Sequence, residues 1–495
     1  MNVGYASTSI RPRASQTRPW GAHQIIQGGM GVSVSDWHLA RAVAQTGQLG
    51  VVSGTAIDVV LARRLQDGDP EGHLRRALAA FPVPGVSQWI LEAYFVEGGI
   101  GPDTLYRPVP RHTLDSAQRL VELTVAGAFV EVWLAKEGHD GAVGINLLRK
   151  IELPLPATLY GAMLAGVDAV LVGAGSPAEI PALARALARH EDVEIDVRVQ
   201  GARSVDGLGR MPFSPRRAVG YLAADLAVPK TVAIVASSDL AAALAGDPAA
   251  RPDGFVLEGP IAGGHNAPPR GARRVDADGQ PVYDERDEVD LPTVIALGLP
   301  VWLAGAYATP QRLREALDLG AAGVQVGTAF ACSEDSGLAP TLREQLRGRA
   351  ADGSLRVRAD WRASPTGFPF RVADVTGTVS DPDVLAARKP VCDLGVLRGA
   401  YRTEDGRVDF RCPAEPPAAY LRKGGREANR EGRMCLCNGL LASAGLGQRR
   451  PGGAVEPALV TCGGDLTSVA ELVGKYGQRY AAADVVDYLL AGRSA

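Results

Sequence analysis

Between about His23 and Ala331, short runs of apolar and β-branched residues alternate with segments whose apolar positions recur every three to four residues. Runs of this length suit buried strands of a parallel sheet, and the intervening segments suit crossover helices packed on its faces. Strands are predicted at Gln24–Gln27, Leu49–Ser53, Trp89–Phe95, Phe129–Ala135, Ala169–Val172, Glu194–Val199, Thr231–Ala236, Gly254–Leu257, Val301–Ala304 and Gly323–Val326. These ten runs exceed the eight staves of a closed barrel, so two are expected to lie outside a barrel wall or to belong to another element. Helices are predicted over Ser35–Gln45, Leu114–Val125, Ala157–Leu164, Glu179–Arg189, Leu240–Ala245 and Pro310–Leu319. Several open on capping residues, as at Ser35-Asp36 and Thr309-Pro310, and close on glycine, as at Gly47 and Gly320.

Beyond Phe330 the alternation fades. Residues Gly348 to Pro457 are rich in Arg, Gly and Pro, and a helical tail over Thr467–Leu490 follows. One polar stretch inside the first region, Gly271–Asp290, falls on the side where barrel enzymes carry their active-site loops and reads as a candidate lid. A formal net charge of -3 over 495 residues leaves no basic excess to attract nucleic acid or acidic lipid. No apolar run reaches membrane-spanning length, and Met1–Pro19, with Arg11, Arg13 and Arg18, lacks the apolar stretch of a signal peptide. The expectation is a cytoplasmic protein without nucleic-acid or membrane partners. Six cysteines in so long a chain are not a disulfide scaffold.

In an α/β barrel the informative positions are those just after each apolar run, because catalytic groups sit at the carboxyl ends of strands. Gln27-Gly28-Gly29-Met30-Gly31 follows the first run, and its glycines let backbone approach a flat ligand, or simply make a tight turn. Ala262-Gly263-Gly264-His265-Asn266 presents an imidazole beside backbone free of side-chain bulk, which suits proton transfer near neutral pH. Its competitor is His139, in Glu137-Gly-His-Asp140 after a predicted strand. Gly305-Ala306 and Gly327-Thr328 follow the last two runs, where barrels often hold a phosphate on backbone N–H groups. Asn146 could meet a heterocycle edge or be an ordinary loop amide, and Ser237 could touch a ligand or cap the next helix. Cys392, Cys412, Cys435 and Cys437 form a candidate four-thiolate site for zinc or an iron–sulfur centre. The Cys435-x-Cys437 spacing is not the usual C-x-x-C chelate, so incidental buried thiols are the competing reading.

Taken as an ordered set, IIQGGMG (25–31), GINLLRKI (144–151), LYGAMLAGVDAVLVGAG (159–175), AGGHN (262–266) and LGAAGVQVGTAF (319–330) resemble the nitronate monooxygenase (2-nitropropane dioxygenase) family of FMN barrels. The second and third stretches look closer to a longer branch that includes free-standing enoyl reductases of polyunsaturated fatty acid and polyketide synthases. The resemblance implies a TIM (β/α)8 barrel over residues 20–335; the C-terminal irregular and helical extension over 336–495, expected to pack on the barrel, lies outside the family pattern. It implies FMN at the barrel mouth, with Gln27, Gly28, Gly29 and Met30 beside the ring, Asn146 near its polar edge, and Gly305, Ala306, Gly327 and Thr328 around the phosphate. His265 corresponds to the active-site histidine. Two departures stand out: Ile261 where the family commonly has an acidic residue before Ala-Gly-Gly-His, and Ala306 in place of a phosphate-loop glycine.

Two reactions follow from that resemblance. One is oxidation of an alkyl nitronate to a carbonyl compound and nitrite with O2. The other is NAD(P)H-dependent reduction of an enoyl thioester, with an acyl carrier protein as partner. A homodimer is the expected assembly in either case. A third reading, a degenerate barrel that binds a partner through its cysteine-bearing extension, is opposed by the intact AGGHN loop.

Overall fold

The computed structural model describes residues 19–203 and 206–491; the N-terminal stretch ending at Arg18 lies outside them. Eight parallel strands form one sheet: β1 (Ile25–Gln27), β2 (Gly50–Ser53), β3 (Val143–Leu148), β4 (Ala169–Gly173), β5 (Lys230–Val235), β6 (Gly254–Glu258), β7 (Val301–Ala304) and β8 (Gly323–Val326). Each is hydrogen-bonded to its sequence neighbour, and β8 pairs with β1. The ring closes between β1 and β2 through the Ile26–Leu49 bridge, with the Gln27 N–H donating to the Leu49 carbonyl at 3.0 Å. The Gln27 side chain extends this short ladder, its Oε1 accepting from the Val51 N–H at 2.8 Å. The fold is therefore the expected TIM (β/α)8 barrel.

Inside the barrel Ile26, Val51, Leu171, Val232, Val256 and Trp302 pack together. Strand alternation then turns Gly28, Ser53, Asn146, Gly173 and Glu258 inward one layer nearer the carboxyl ends. Around the barrel lie α1 (Trp37–Gln45), α2 (Gln118–Lys136), α3 (Leu155–Leu164), α4 (Ile180–Ala188), α5 (Ser238–Gly246), α6 (Leu291–Ile295) and α7 (Pro310–Asp318). α1 begins where Asp36 accepts from the His38 and Leu39 N–H groups, and α7 where Thr309 accepts from Arg312. The eighth helical position is filled by the chain's last helix, α8 (Ala482–Leu490), which packs against both α1 and α7. Residues between β8 and α8 are thus threaded between a barrel strand and the helix that completes its ring. They share one core with the barrel, in which Val460, Leu472, Tyr480 and Val485 join Ile25, Leu39 and Leu303.

Three predicted strands are placed elsewhere. Trp89–Phe95 falls largely in the helix Pro84–Tyr94, which opens on a proline and buries Val86, Ile90 and Tyr94 on one face. Phe129–Ala135 belongs to α2, a helix apolar on nearly every side because it is covered by α1, α3 and the helices Ile57–Gln66 and His73–Ala80. Burial all round erases the helical period and leaves a run that reads as a strand. Glu194–Val199 contributes instead to a hairpin of Val193–Asp196 with Arg210–Phe213, outside the barrel. The true third stave, β3, carries inward-facing Gly144 and Asn146 and so lacks an apolar run. The predicted tail is two helices, Thr467–Tyr476 and α8. Among the described residues, no helix is long and apolar enough to cross a membrane.

Candidate active site

The AGGHN loop leaves the end of β6 and is clamped by chain from beyond the barrel. The His265 backbone bridges Phe370, the Arg371 N–H donates to Gly264 O at 2.9 Å, and the Gly264 N–H donates to Thr461 Oγ1 at 2.9 Å. Gly464 reaches back to Ile261 O at 2.9 Å. A Cβ on Gly263 would stand 2.9 Å from the Cys462 carbonyl carbon, so the two backbones touch where only glycine fits. His265 is fixed on both sides: Nε2 lies 2.7 Å from Ser364 Oγ, and its ring meets Phe370 edge-on at 4.8 Å. Burial, and then the charge of Lys150, hold the imidazole well below its ordinary pKa, so it stands neutral near pH 7.

Two further ionisable groups share this space. Glu258 ends β6 and Lys150 follows β3, and neither makes a salt bridge among the described residues. Burial pushes the Lys150 ammonium down to about 7 and the Glu258 carboxyl up to about 7, each partly offset by the other's charge. Lys150 Nζ is buried without a hydrogen-bond partner among the described residues and sits 4.5 Å from the Phe368 ring centroid. Tyr283, from the polar Gly271–Asp290 stretch, donates to Ala267 O at 3.0 Å, and burial raises its phenol to about 12. The same stretch meets the extension where Gln280 Oε1 accepts from the Ala359 N–H at 3.0 Å and Arg273 lies over the Trp361 ring.

The other residues singled out in the sequence divide by what already engages them. Gln27 is wholly buried and satisfied, donating to Gly28 O and Ser35 Oγ, so its amide serves the fold and only its backbone borders the mouth. A Cβ on Gly29 would lie 2.2 Å from Asn146 Cβ, which packs the β1 loop against that side chain. The Asn146 amide has no hydrogen-bond partner among the described residues. Met30 Sδ approaches Gly327 at 3.3 Å from where a Cβ would stand. Thr328 Oγ1 is occupied by the Gly463 N–H at 2.8 Å, and Ser237 caps α5 by accepting from Leu240. Gly305 (φ 85°) and Ala306 (φ 63°) form a left-handed turn between β7 and α7. That conformation explains why glycine suits position 306, and an alanine there is strained. His139 lies before β3, at the amino end of the barrel, accepting from the Gly141 N–H at 3.0 Å, so it is remote from this mouth.

These features fit a flavin: polar groups without protein partners (Asn146, Lys150 Nζ and Gln325 Oε1) meet glycine-lined backbone at one end of the barrel. Among the described residues, no three His, Cys, Asp or Glu side chains are grouped to hold a metal ion, which removes the geometry a zinc at the four cysteines would need.

Residues 222–361, from before β5 to the far side of β8, match the family model described as nitronate monooxygenase. Over that segment the barrel is similar to the nitronate monooxygenase family. A nitronate monooxygenase of Pseudomonas aeruginosa is 35% identical over 168 residues, covering 31% of this chain and 44% of the relative, so the match spans less than half of that protein. Solved structures that resemble the chain include FabK from Thermotoga maritima (16% identity, 95% of this chain and 92% of that one, TM-score 0.45). Others are a nitroalkane oxidase from Streptomyces ansochromogenes (15%, 95% and 95%, 0.44) and the enoyl reductase domain of MlnA from Bacillus amyloliquefaciens (12%, 95% and 93%, 0.48). The nitronate monooxygenase segment contains Glu258, His265 and the loops after β7 and β8. It leaves out Asn146, Lys150, Ser364 and the four clustered cysteines. Sequence reasoning missed Lys150, Glu258 and Ser364. The first two were signalled by charged residues at the ends of apolar runs, Asn-Leu-Leu-Arg-Lys150 and Phe-Val-Leu-Glu258, whereas Ser364 carried no signal.

Proposed function

We propose that this protein is an FMN-dependent oxidoreductase that oxidises alkyl nitronates with O2. The observation that carries the reading is the neutral His265 in the loop after β6, set beside Lys150 in a mouth lined by unpartnered polar groups, with a nitronate monooxygenase family match over residues 222–361, which include β6 and His265. Asn146, Gly28, Gly29, Met30 and the Gly305-Ala306 turn would hold the flavin, which supplies the electron acceptor. A nitronate is already an anion, so the chain's own task is to bind and orient it. Lys150, when protonated, offers the compensating charge in a buried setting where that charge acts strongly. His265, held by Ser364, orients the nitronate or takes a proton from a neutral nitroalkane.

A second reading, NAD(P)H-dependent reduction of an enoyl thioester, draws support from Lys150 and Glu258. Both ionise near neutral pH, and either can deliver a proton to a carbon next to the thioester. Purified protein is mixed with propyl-2-nitronate under air, and separately with NADPH and a crotonyl thioester without oxygen. Nitrite release that needs no NADPH is expected. NADPH oxidation coupled to thioester reduction, with no nitrite from the nitronate, overturns the first reading in favour of the second. A colourless protein that takes up no FMN refutes both.

A further inference from the structure

Ser364-Pro365-Thr366-Gly367 makes a tight turn in which the Gly367 N–H donates to the Ser364 carbonyl at 3.2 Å. Proline at its second position and Gly367 (φ 81°) at its fourth suit that geometry. The turn brings both hydroxyls to one imidazole nitrogen: His265 Nε2 lies 2.7 Å from Ser364 Oγ and 3.5 Å from Thr366 Oγ1, and the two oxygens are 2.7 Å apart. Ser364 is wholly buried. Its turn is anchored by Arg433, which donates to the Ser364 carbonyl, and by the Met434 N–H, which donates to Ala363 O at 2.9 Å. Among the described residues no hydrogen bond reaches His265 Nδ1, and the residue is only half-buried, so Nδ1 is the nitrogen left for a ligand. The family match ends at residue 361, so these hydroxyls come to the histidine from chain beyond it.

A serine hydroxyl has one proton to give and two lone pairs. One lone pair of Ser364 Oγ takes the Thr366 N–H at 3.2 Å. The proton and the other lone pair must then serve Thr366 Oγ1 and His265 Nε2, one each. In one arrangement Nε2–H donates to Ser364, the Ser364 hydroxyl donates on to Thr366, and Nδ1 is a bare acceptor. In the other, Thr366 donates to Ser364, Ser364 donates to a bare Nε2, and Nδ1 carries the proton. The two hydroxyls therefore turn together with the tautomer of the neutral imidazole. We propose that Ser364 and Thr366 are positioning residues that engage Nε2 and so make Nδ1 the atom of His265 that removes the α-proton of a neutral nitroalkane. The assignment rests on the nitronate-oxidising function proposed for this site. In the step the α C–H bond breaks, its proton goes to Nδ1, and its electron pair becomes the C=N bond of the nitronate, whose oxygens take the negative charge. Nε2–H stays on Ser364 Oγ, the orienting role that a third group plays behind a histidine base. A nitronate supplied as the anion skips that step.

The test compares nitrite release by the flavin-loaded full chain from freshly dissolved 2-nitropropane and from propyl-2-nitronate. Ser364→Ala is expected to lower kcat/KM for the nitroalkane at least about tenfold more than for the nitronate. Ser364→Thr, which keeps a hydroxyl there, should recover most of that difference. Thr366→Val, which keeps the shape of the half-buried side chain and removes its hydroxyl, should lower the nitroalkane value about threefold more than the nitronate value. Flavin absorbance and thermal unfolding report whether each variant is folded, and if the buried alanine variant is not, the Thr366→Val comparison decides. Equal losses on the two substrates, or no loss on either, make the turn a support for the fold alone and overturn the proposal. A wild type that oxidises the nitronate but not 2-nitropropane also overturns it, with the nitronate-oxidising function left standing. A wild type that releases nitrite from neither refutes that function, and the proposal falls with it.

Discussion

Lys150 pairs an ammonium with an environment that resists its charge. Its pKa falls from 10.5 to about 7 on folding, so between those values the unfolded chain holds a proton that the folded chain lacks. Folding is penalised by this group below 10.5, with the full penalty present below about 7 and fading as the pH rises between them. Lys150→Met is thus expected to stabilise the protein by on the order of 2 kcal/mol at pH 6 and by little at pH 10, read from denaturant unfolding at the two pH values. Glu258 runs the other way: its carboxyl is neutral below about 7 and charged above. Across neutrality the pair passes from one net positive charge to one net negative charge. An anionic nitronate should then bind less tightly as the pH rises, so KM is expected to climb roughly tenfold between pH 6 and 8 in the wild type. In Lys150→Met, KM should be high throughout and depend less on pH. A pH-independent KM in the wild type would remove Lys150 from substrate binding.

Between elements, the decisive contact is that of the loop after β6 with residues 461–464. Gly263 leaves no room for a Cβ against Cys462 and Gly463; the Gly463 N–H donates to Thr328 Oγ1 and the Gly464 N–H to the Ile261 carbonyl. Gly263→Ala is expected to force the two segments apart at a cost of about 1–3 kcal/mol, with kcat reduced more than KM because the displaced loop carries His265. Thermal unfolding and steady-state kinetics on the same preparation would show it, and unchanged values of both would mean the contact is slack. Much of this was legible beforehand for a physical reason. β6 to β8 are largely apolar runs followed by glycine, and their ends announce His265, Gly305 and Gly327. The first half of the barrel was harder to read. α2 is buried on all sides and loses its period, while β3 spends its inward positions on Gly144 and Asn146 and loses its apolar run. Ser364 and Arg371 reach the loop across about a hundred residues of chain, and no local pattern encodes such a meeting.

On the scale of the whole molecule, closure of the barrel depends on its two ends. The stretch from the short helix Thr328–Ala331 onward leaves the wall after β8 and comes back only at α8, whose Val485, Val486, Tyr488 and Leu489 are buried where α8 packs on α1 and α7. Tyr480 adds a hydrogen bond from its hydroxyl to Ala329 O at 2.9 Å, and the Ala482 N–H donates to Asp335 at 2.7 Å. Burial of each large apolar side chain contributes about 1.5–3 kcal/mol, so four of them together rival the 5 to 15 kcal/mol, roughly, by which a domain is stable at all. A chain ending at residue 479 is therefore expected to lose cooperative unfolding, even though every strand of the barrel and the whole cysteine region remain. Tyr480→Phe, which removes one hydroxyl and keeps the ring, should cost only about 1 kcal/mol. Circular dichroism during thermal unfolding separates these cases. If the shortened chain melts cooperatively close to the full-length Tm, then α8 is an ornament on a barrel already closed, and the C-terminal region could be treated as a separate unit rather than as an insertion within the last β/α repeat.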